Sequence, residues 1–326
     1  MSRTRVLSGI QPTGSGKHLG NYLGAVRHWA ALQAASECFY FVADLHALTT
    51  TPDPAALRQN VRQTAAELLA MGVDPSRSAL FLQSEVPEHA ELAWVLSCLT
   101  STGEASRMTQ FKEKGGGNVG LFTYPVLQAA DILLYRPQRV PVGEDQRQHL
   151  ELTRDLAQRF NNRYGETLTV PEPYVQQTAE RIKDLQDPTA KMSTSRGGPG
   201  TLWVVDEPKV VTKKVRSAVT DTGREVRAAD DKPGITNLLT VLSVATGTPV
   251  PELEAAYEGK GYGDFKADVA AAVVELFAPV RERYAALVAD PATVDGILEA
   301  GAARAREVAG ETMQAVRERV GLRPAR

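Results

Sequence analysis

The first 84 residues alternate two textures, and that alternation limits the fold more than any other feature of the chain. Short apolar runs, VLSGI, CFYFVADL and ALFLQS, are separated by residues 21–35 and 57–71, which have helical patterning. In the second of these, Leu57, Val61, Ala65 and Leu68 recur at spacings of three and four. Strands joined by helices of that length pair in parallel, and a parallel sheet needs helices on both faces. The expected fold is therefore α/β, a Rossmann-type doubly wound parallel sheet.

The pattern breaks at residues 101–139, where charged and glycine-rich sequence (KEKGGGN) precedes the helical YPVLQAADILLY. This reads as an inserted helical segment between two halves of one nucleotide-binding fold. Alternation resumes at VPVG, which runs directly into EDQRQHLELTRDLAQRF; there Leu152, Leu156 and Phe160 form a stripe, and Glu144 and Asp145 are expected in the first turn, where the helix dipole favours carboxylates. Beyond Ser195 the sequence turns helical: PKVVTKKVRSAV, NLLTVLSVAT, residues 265–288, and a last helix over about 293–320. A chain of 326 residues exceeds a usual single domain, so a smaller all-helical C-terminal domain is expected to follow the sheet.

Composition excludes more than it assigns. Lys and Arg number 37 against 39 Asp and Glu, so a nucleic-acid partner has to meet a local patch. The clearest basic run is TKKVRSA, with Lys213, Lys214 and Arg216. Cys38 and Cys98 each lie in an apolar run and are expected to be free, buried thiols, without a disulfide or a cysteine metal site. The N-terminus lacks a signal-peptide pattern and no window holds 18 uncharged apolar residues, which points to a cytoplasmic chain with no membrane span.

Two segments carry chemistry. In SGIQPTGSGKHLGNYLG, Gly14, Gly16 and Gly20 let the backbone approach a ligand, and the helix that follows offers free N–H groups to an anion, a plausible phosphate cradle. The spacing is not that of the dinucleotide fingerprint, and no acidic residue closes the second strand as a ribose would need. The second segment is AKMSTSRGG, residues 190–198, whose Lys191 precedes small hydroxyl residues and glycines that cannot hold a helix.

KHLGN and KMSTS resemble the two signatures of class I aminoacyl-tRNA synthetases. SGIQPTG, MTQFKEK, YPVLQAADILLY, VPVGEDQRQHLELTRDLAQRFN, SAVTD and GKGYGDFKAD extend that resemblance, nearly end to end, to the bacterial tryptophanyl-tRNA synthetases. The resemblance implies a catalytic domain over 1–195 with a KMSTS loop at 191–195, a helical anticodon-binding domain over 196–290, and a C-terminal helix, 291–326, packing back on the catalytic domain. It implies a homodimer whose partners are ATP with Mg²⁺, L-tryptophan and tRNA(Trp), with no metal held by the protein itself.

By the same resemblance ATP is held by Gln11, Pro12, Thr13, Gly20, Asn21, Gly143, Glu144, Asp145, Ile182, Met192, Ser193, Thr194 and Ser195, besides Lys191. His18 steadies the triphosphate. Lys191, with Lys114 from the insertion, stabilises charge as pyrophosphate leaves. Leu7, His46, Tyr124, Gln128, Asp131 and Gln146 surround tryptophan. Tyr124, Gln128 and Asp131 fall on one helix face by their spacing of four and three. A carboxylate in so apolar a helix needs a donor, and the family supplies the indole N–H; a substrate without that donor would leave the carboxylate unpaired.

Three departures from the family accompany this. Thr194 stands in place of the second lysine of the loop, with Lys112, Lys114 or Arg196 as candidate compensators. One extra residue lies between Gly14 and His18. Gln128 replaces a methionine and is also what tyrosyl enzymes carry, so the tyrosine enzyme is one rival reading. A small-molecule adenylyltransferase and a non-catalytic paralogue are the others.

Overall fold

The structure is a computed structural model and describes residues 4–14, 16–108, 117–142, 147–175, 182–194 and 197–323. Its first half is the expected parallel sheet. Strands β1 (Arg5–Ile10), β2 (Glu37–Val42) and β3 (Ser78–Leu82) pair in that order, with Leu7 opposite Phe39 and Phe39 opposite Ala79. Strand β4 (Arg139–Val142) runs beside β1 and pairs in parallel with β5 (Glu172–Val175). The sheet thus turns outward in both directions from the β1/β4 boundary, which is the switch point where such folds take ligands. Strand β5 was not visible in the sequence, because Pro173 interrupts its pattern; proline is tolerated in the outermost strand of such a ladder.

Successive residues of each strand point to opposite faces, and both faces are apolar. Val6, Cys38, Tyr40 and Leu80 join one core; Leu7, Phe39, Phe41, Ala79 and Phe81 join the other. A parallel sheet covered on both sides requires this continuous hydrophobicity. The first face is covered by α1, in which Leu19–Asn21, the π turn Tyr22–Val26 and Arg27–Leu32 run on without a break, and by α2 (Pro54–Ala70). Trp29 of α1 stacks on Tyr40 at 4.6 Å, and the Tyr40 hydroxyl donates to the Trp29 carbonyl. Asp53 starts α2 by accepting from the backbone N–H groups of Ala55 and Ala56, with Pro54 in the first turn.

The second face is covered by α3 (Glu88–Ser97), α4 (Val119–Leu134) and α5 (Arg147–Tyr164), the last presenting Leu152, Leu156 and Phe160 as expected. Helices α6 (Pro208–Arg216), α7 (Pro233–Thr246), α8 (Val250–Ala256) and α9 (Tyr262–Ala289) form the helical C-terminal region. Helix α10 (Pro291–Val320) then returns along β3, covering an edge that would otherwise expose unpaired backbone. A Cβ on Gly301 would lie 1.9 Å from the Leu80 carbonyl oxygen, so only glycine allows this contact.

One expectation fails. Cys38 is buried, but Cys98 is exposed, because α3 turns Leu92 and Leu96 inward and leaves the residue after its last turn facing out. The basic run of α6 is divided in its surroundings. Lys214 donates to the Thr201 carbonyl and to Asp206, both at 2.7 Å, while Lys213 and Arg216 are exposed. Among the described residues no helix is long and apolar enough to cross a membrane.

Candidate active site

The turn after β1 is held by its own backbone. The Gln11 carbonyl accepts from Thr13 N, the Thr13 carbonyl accepts from Gly16 N, and Gly16 adopts the left-handed region at φ 81°. His18 then caps the helix: its Nδ1 accepts from Asn21 N, and Asn21 Oδ1 accepts from His18 N. Gly20 makes room for this imidazole, since a Cβ there would come 2.9 Å from its Cε1. Burial, and then the positive charges of Lys191 and Lys17, push the imidazole down to about 4. His18 is therefore neutral at pH 7, and because Nδ1 accepts, its proton sits on Nε2 as a hydrogen-bond donor.

The second signature is anchored at both ends. Asp184 N donates to the Ala190 carbonyl and Met192 N to the Ile182 carbonyl, which pairs 182–184 with 190–192. Asn237 of α7 clamps the Lys183 backbone by donating to its carbonyl and accepting from its N–H. Ile182 and Met192 send their side chains into the core, so these two residues have only main chain to offer a nucleotide. Lys191 is exposed, and Ser193 and Thr194 are half-buried.

Beyond that loop the chain returns to the first signature. Leu19 N donates to the Leu202 carbonyl and Val204 N to the Lys17 carbonyl, each at 2.9 Å, and Trp203 lies across from His18 with ring centroids 6.1 Å apart. Two segments more than 170 residues apart in the sequence are thereby one hydrogen-bonded unit. The ion pair of Lys214 with Asp206 and its bond to Thr201 fix the strand-like stretch that makes the connection.

Asp131, on α4, is 2 % exposed. It is not waiting for a donor: Oδ1 accepts from Gln83 Nε2 at 2.7 Å and His89 Nδ1 at 2.6 Å, and Oδ2 accepts from His46 Nε2 at 2.8 Å. The expectation of an unpaired carboxylate is corrected by three protein donors, His46 and Gln83 from the turns that follow β2 and β3 and His89 from α3. Burial pushes the carboxyl up, but the hydrogen bonds from His46 and His89 outweigh it and hold Asp131 below the usual carboxylate range. A carboxylate has about four acceptor positions, so one remains on Oδ2. His89 Nε2 meets the Tyr135 hydroxyl at 2.9 Å, and the phenol, pushed up by burial and by Asp131, keeps its proton as the donor. His46 and Tyr124 pack edge to face at 5.4 Å, and the Tyr124 hydroxyl lies 3.1 Å from His149 Nε2.

The structure thus gathers His46, Tyr124 and Asp131 in one cluster, with Gln128 half-buried on the same helix and Leu7 in the adjoining core. It gathers Gln11, Thr13, His18, Gly20 and Asn21 in another, with Pro12 buried between. Gly143, Glu144, Asp145 and Gln146, together with Lys112, Lys114, Ser195 and Arg196, lie outside the described residues. Sequence reasoning missed Gln83, His89, Tyr135, Lys17 and Trp203. A polar Gln83 closing the apolar run ALFLQ was the one available signal. Among the described residues no cluster of His, Cys, Asp or Glu is built to hold a metal ion.

Residues 1–278 match the family of class I tRNA synthetases for tryptophan and tyrosine. The chain belongs to that family. The tryptophan–tRNA ligase 2 of Streptomyces avermitilis is 59% identical over 332 residues, covering 99% of this chain and 98% of its own. Among solved structures, the tryptophanyl-tRNA synthetase of Mycoplasma pneumoniae has a TM-score of 0.87 at 40% identity, covering 98% of both chains. The tryptophanyl-tRNA synthetase of Campylobacter jejuni complexed with ADP and tryptophan has a TM-score of 0.86 at 38% identity, covering 98% of this chain and 100% of its own. In this class I synthetase the backbone hydrogen bonds thus join the first signature to residues 202–204, just beyond the second.

Proposed function

We propose that this synthetase is a tryptophan–tRNA ligase. It activates L-tryptophan with MgATP and transfers the tryptophanyl group to the 2'-hydroxyl of the terminal adenosine of tRNA(Trp). The observation that supports this reading is the pairing of residues 17–19 with 202–204, just beyond the KMSTS loop.

In the first step a carboxylate oxygen of tryptophan bonds to the α-phosphorus of ATP. The bond from that phosphorus to its bridging oxygen breaks, and pyrophosphate leaves with the electron pair. Little covalent work falls to the protein; positioning and fixed charge carry the step. Gln11, Pro12, Thr13, Gly20 and Asn21, with Gly143, Glu144, Asp145, Ile182 and Met192, receive ATP. Neutral His18 donates Nε2–H to a phosphate oxygen. The exposed Lys191 ammonium, aided by Ser193, Thr194, Ser195 and Lys114, meets the departing pyrophosphate, while Mg²⁺ enters bound to the triphosphate.

The remaining acceptor position of Asp131 takes the indole N–H, with Leu7, His46, Tyr124, Gln128 and Gln146 around the substrate. In the second step the 2'-hydroxyl oxygen attacks the tryptophanyl carbonyl, AMP leaves as its phosphate oxygen takes the electron pair of the broken mixed anhydride, and the hydroxyl proton passes to that phosphate.

The helical region over 196–290 reads the anticodon, with exposed Lys213 and Arg216 as phosphate contacts. The synthetase acts in the cytoplasm as a homodimer, for which the exposed Trp94 of α3 and Val119 of α4 offer apolar surface. The test is aminoacylation of total bacterial tRNA with each amino acid in turn. Charging of one tRNA species with tryptophan supports the reading; charging with any other amino acid, or with none, rejects it.

A further inference from the structure

Two departures from the family pattern, Thr194 in place of a lysine and the extra residue before His18, are far apart in the sequence, yet they fall in the two signatures, and the charge of Lys191 in the second is felt by His18 in the first. The lengthened turn contains Lys17, which is 2 % exposed. A lysine is almost never buried to that extent without a purpose for its charge. Its Nζ donates to the Gln11 carbonyl at 3.1 Å and to Thr13 Oγ1 at 3.3 Å, the same turn that receives ATP in the proposed function, on which this inference rests. Its own carbonyl accepts from Val204 N, so it belongs to the backbone seam joining the first signature to the stretch that follows the second.

The nearest acidic group is Glu67 of α2, fully buried beneath Gly16; its Oε1 accepts from Gln63, and its Oε2 has no hydrogen-bond partner among the described residues. If Lys17 served only to neutralise Glu67, a direct ion pair would be the expected geometry. The ammonium instead spends two of its three N–H groups on Gln11 and Thr13.

We propose that Lys17 is a positioning residue of the ATP site that supplies, from beneath the first signature, the positive charge that Thr194 removes from the second. It fixes the Gln11–Thr13 turn and sets a cation beside His18. When the α-phosphorus gains the tryptophan carboxylate oxygen and loses the bridging oxygen, that cation favours the charge gathering on pyrophosphate. Burial lowers the Lys17 ammonium to about 8, with Glu67 opposing the shift, so the residue is charged at pH 7 and loses its charge just above it.

The experiment is ATP–pyrophosphate exchange with tryptophan on the purified full chain. For Lys17→Met the expected result is a kcat lower by roughly 100-fold. The KM for tryptophan should stay within about threefold, since Lys17 does not touch the cluster around Asp131. Adding Thr194→Lys to Lys17→Met should recover about tenfold, against about twofold in the unaltered background, a non-additivity expected only of two residues serving one charge. The unaltered enzyme should lose activity as pH rises through about 8, and Lys17→Met should lack that limb. Glu67→Gln should retain exchange.

A Lys17→Met enzyme as active as the unaltered one would overturn the inference while leaving the proposed function intact. So would a loss that Thr194→Lys cannot restore and that tracks a fall in Tm, or one that Glu67→Gln reproduces. No exchange by the folded, unaltered enzyme would overturn the function and this inference together.

Discussion

Replacing Asp131 tests how the buried cluster is held and what it is for. In Asp131→Ala three donors, on His46, Gln83 and His89, lose their acceptor in a site closed to water. At about 1–3 kcal/mol for each buried group left unpaired, the cost is roughly 3–9 kcal/mol. That is comparable with the ~5–15 kcal/mol that keeps a typical domain folded. Asp131→Asn is gentler. Its oxygen can keep Gln83 and His89, and its amide can face His46 Nε2, because His46 can move its proton to Nδ1, which has no hydrogen-bond partner among the described residues. What Asn loses is charge assistance, about 2 kcal/mol of stability. The position on Oδ2 that would take the indole N–H is then an amide NH2, which donates instead of accepting, so the indole loses its acceptor at a cost of about 1–3 kcal/mol, raising the KM for tryptophan by roughly 10- to 100-fold. Urea unfolding gives the first quantity and exchange at varied tryptophan the second. Equal stability of the Ala and Asn variants would refute the three-donor account. An unchanged KM in Asp131→Asn would refute the role in substrate selection.

Other perturbations read separate parts of the fold. Gly20→Ala places a Cβ 2.9 Å from the His18 imidazole and should turn it off its cap, lowering exchange by about 10-fold or more with little change in Tm, as measured by exchange kinetics beside a thermal melt. His18 binds its proton more weakly folded than unfolded, so its contribution to stability is complete above pH 6.5 and is lost as pH falls toward 4. Denaturant midpoints between pH 7 and 4 should fall in the unaltered chain by up to ~3 kcal/mol, and a His18→Asn variant should flatten that slope. Gly301→Val drives a side chain into the Leu80 backbone and should lift α10 from β3, costing about 3 kcal/mol or more and lowering Tm by several degrees.

The sheet was legible because its strands are buried on both faces and its helices are amphipathic, so one-dimensional patterning repeats three-dimensional layering. Strand β5 escaped because its short run holds Pro173, which only its place at the end of the ladder excuses. Cys98 misled for the opposite reason: an apolar run on a helix is divided between two faces, and composition alone does not say which face each residue takes. Tyr124 and Asp131 could be placed together because they share a helix. Gln83 and His89 could not, since they reach Asp131 from separate elements and nothing local in the sequence links them. Lys17 was read as part of a glycine-rich signature, and only the fold shows that its side chain turns inward beneath the turn.

The central claim, tryptophan activation at the site where the two signatures meet, is tested most directly by ATP–pyrophosphate exchange without tRNA, run in parallel with tryptophan, tyrosine and phenylalanine. The account predicts exchange with tryptophan alone. Exchange with tyrosine would mean that Gln128, not the remaining cluster, marks the substrate, and silence with all three would contradict catalysis at this site.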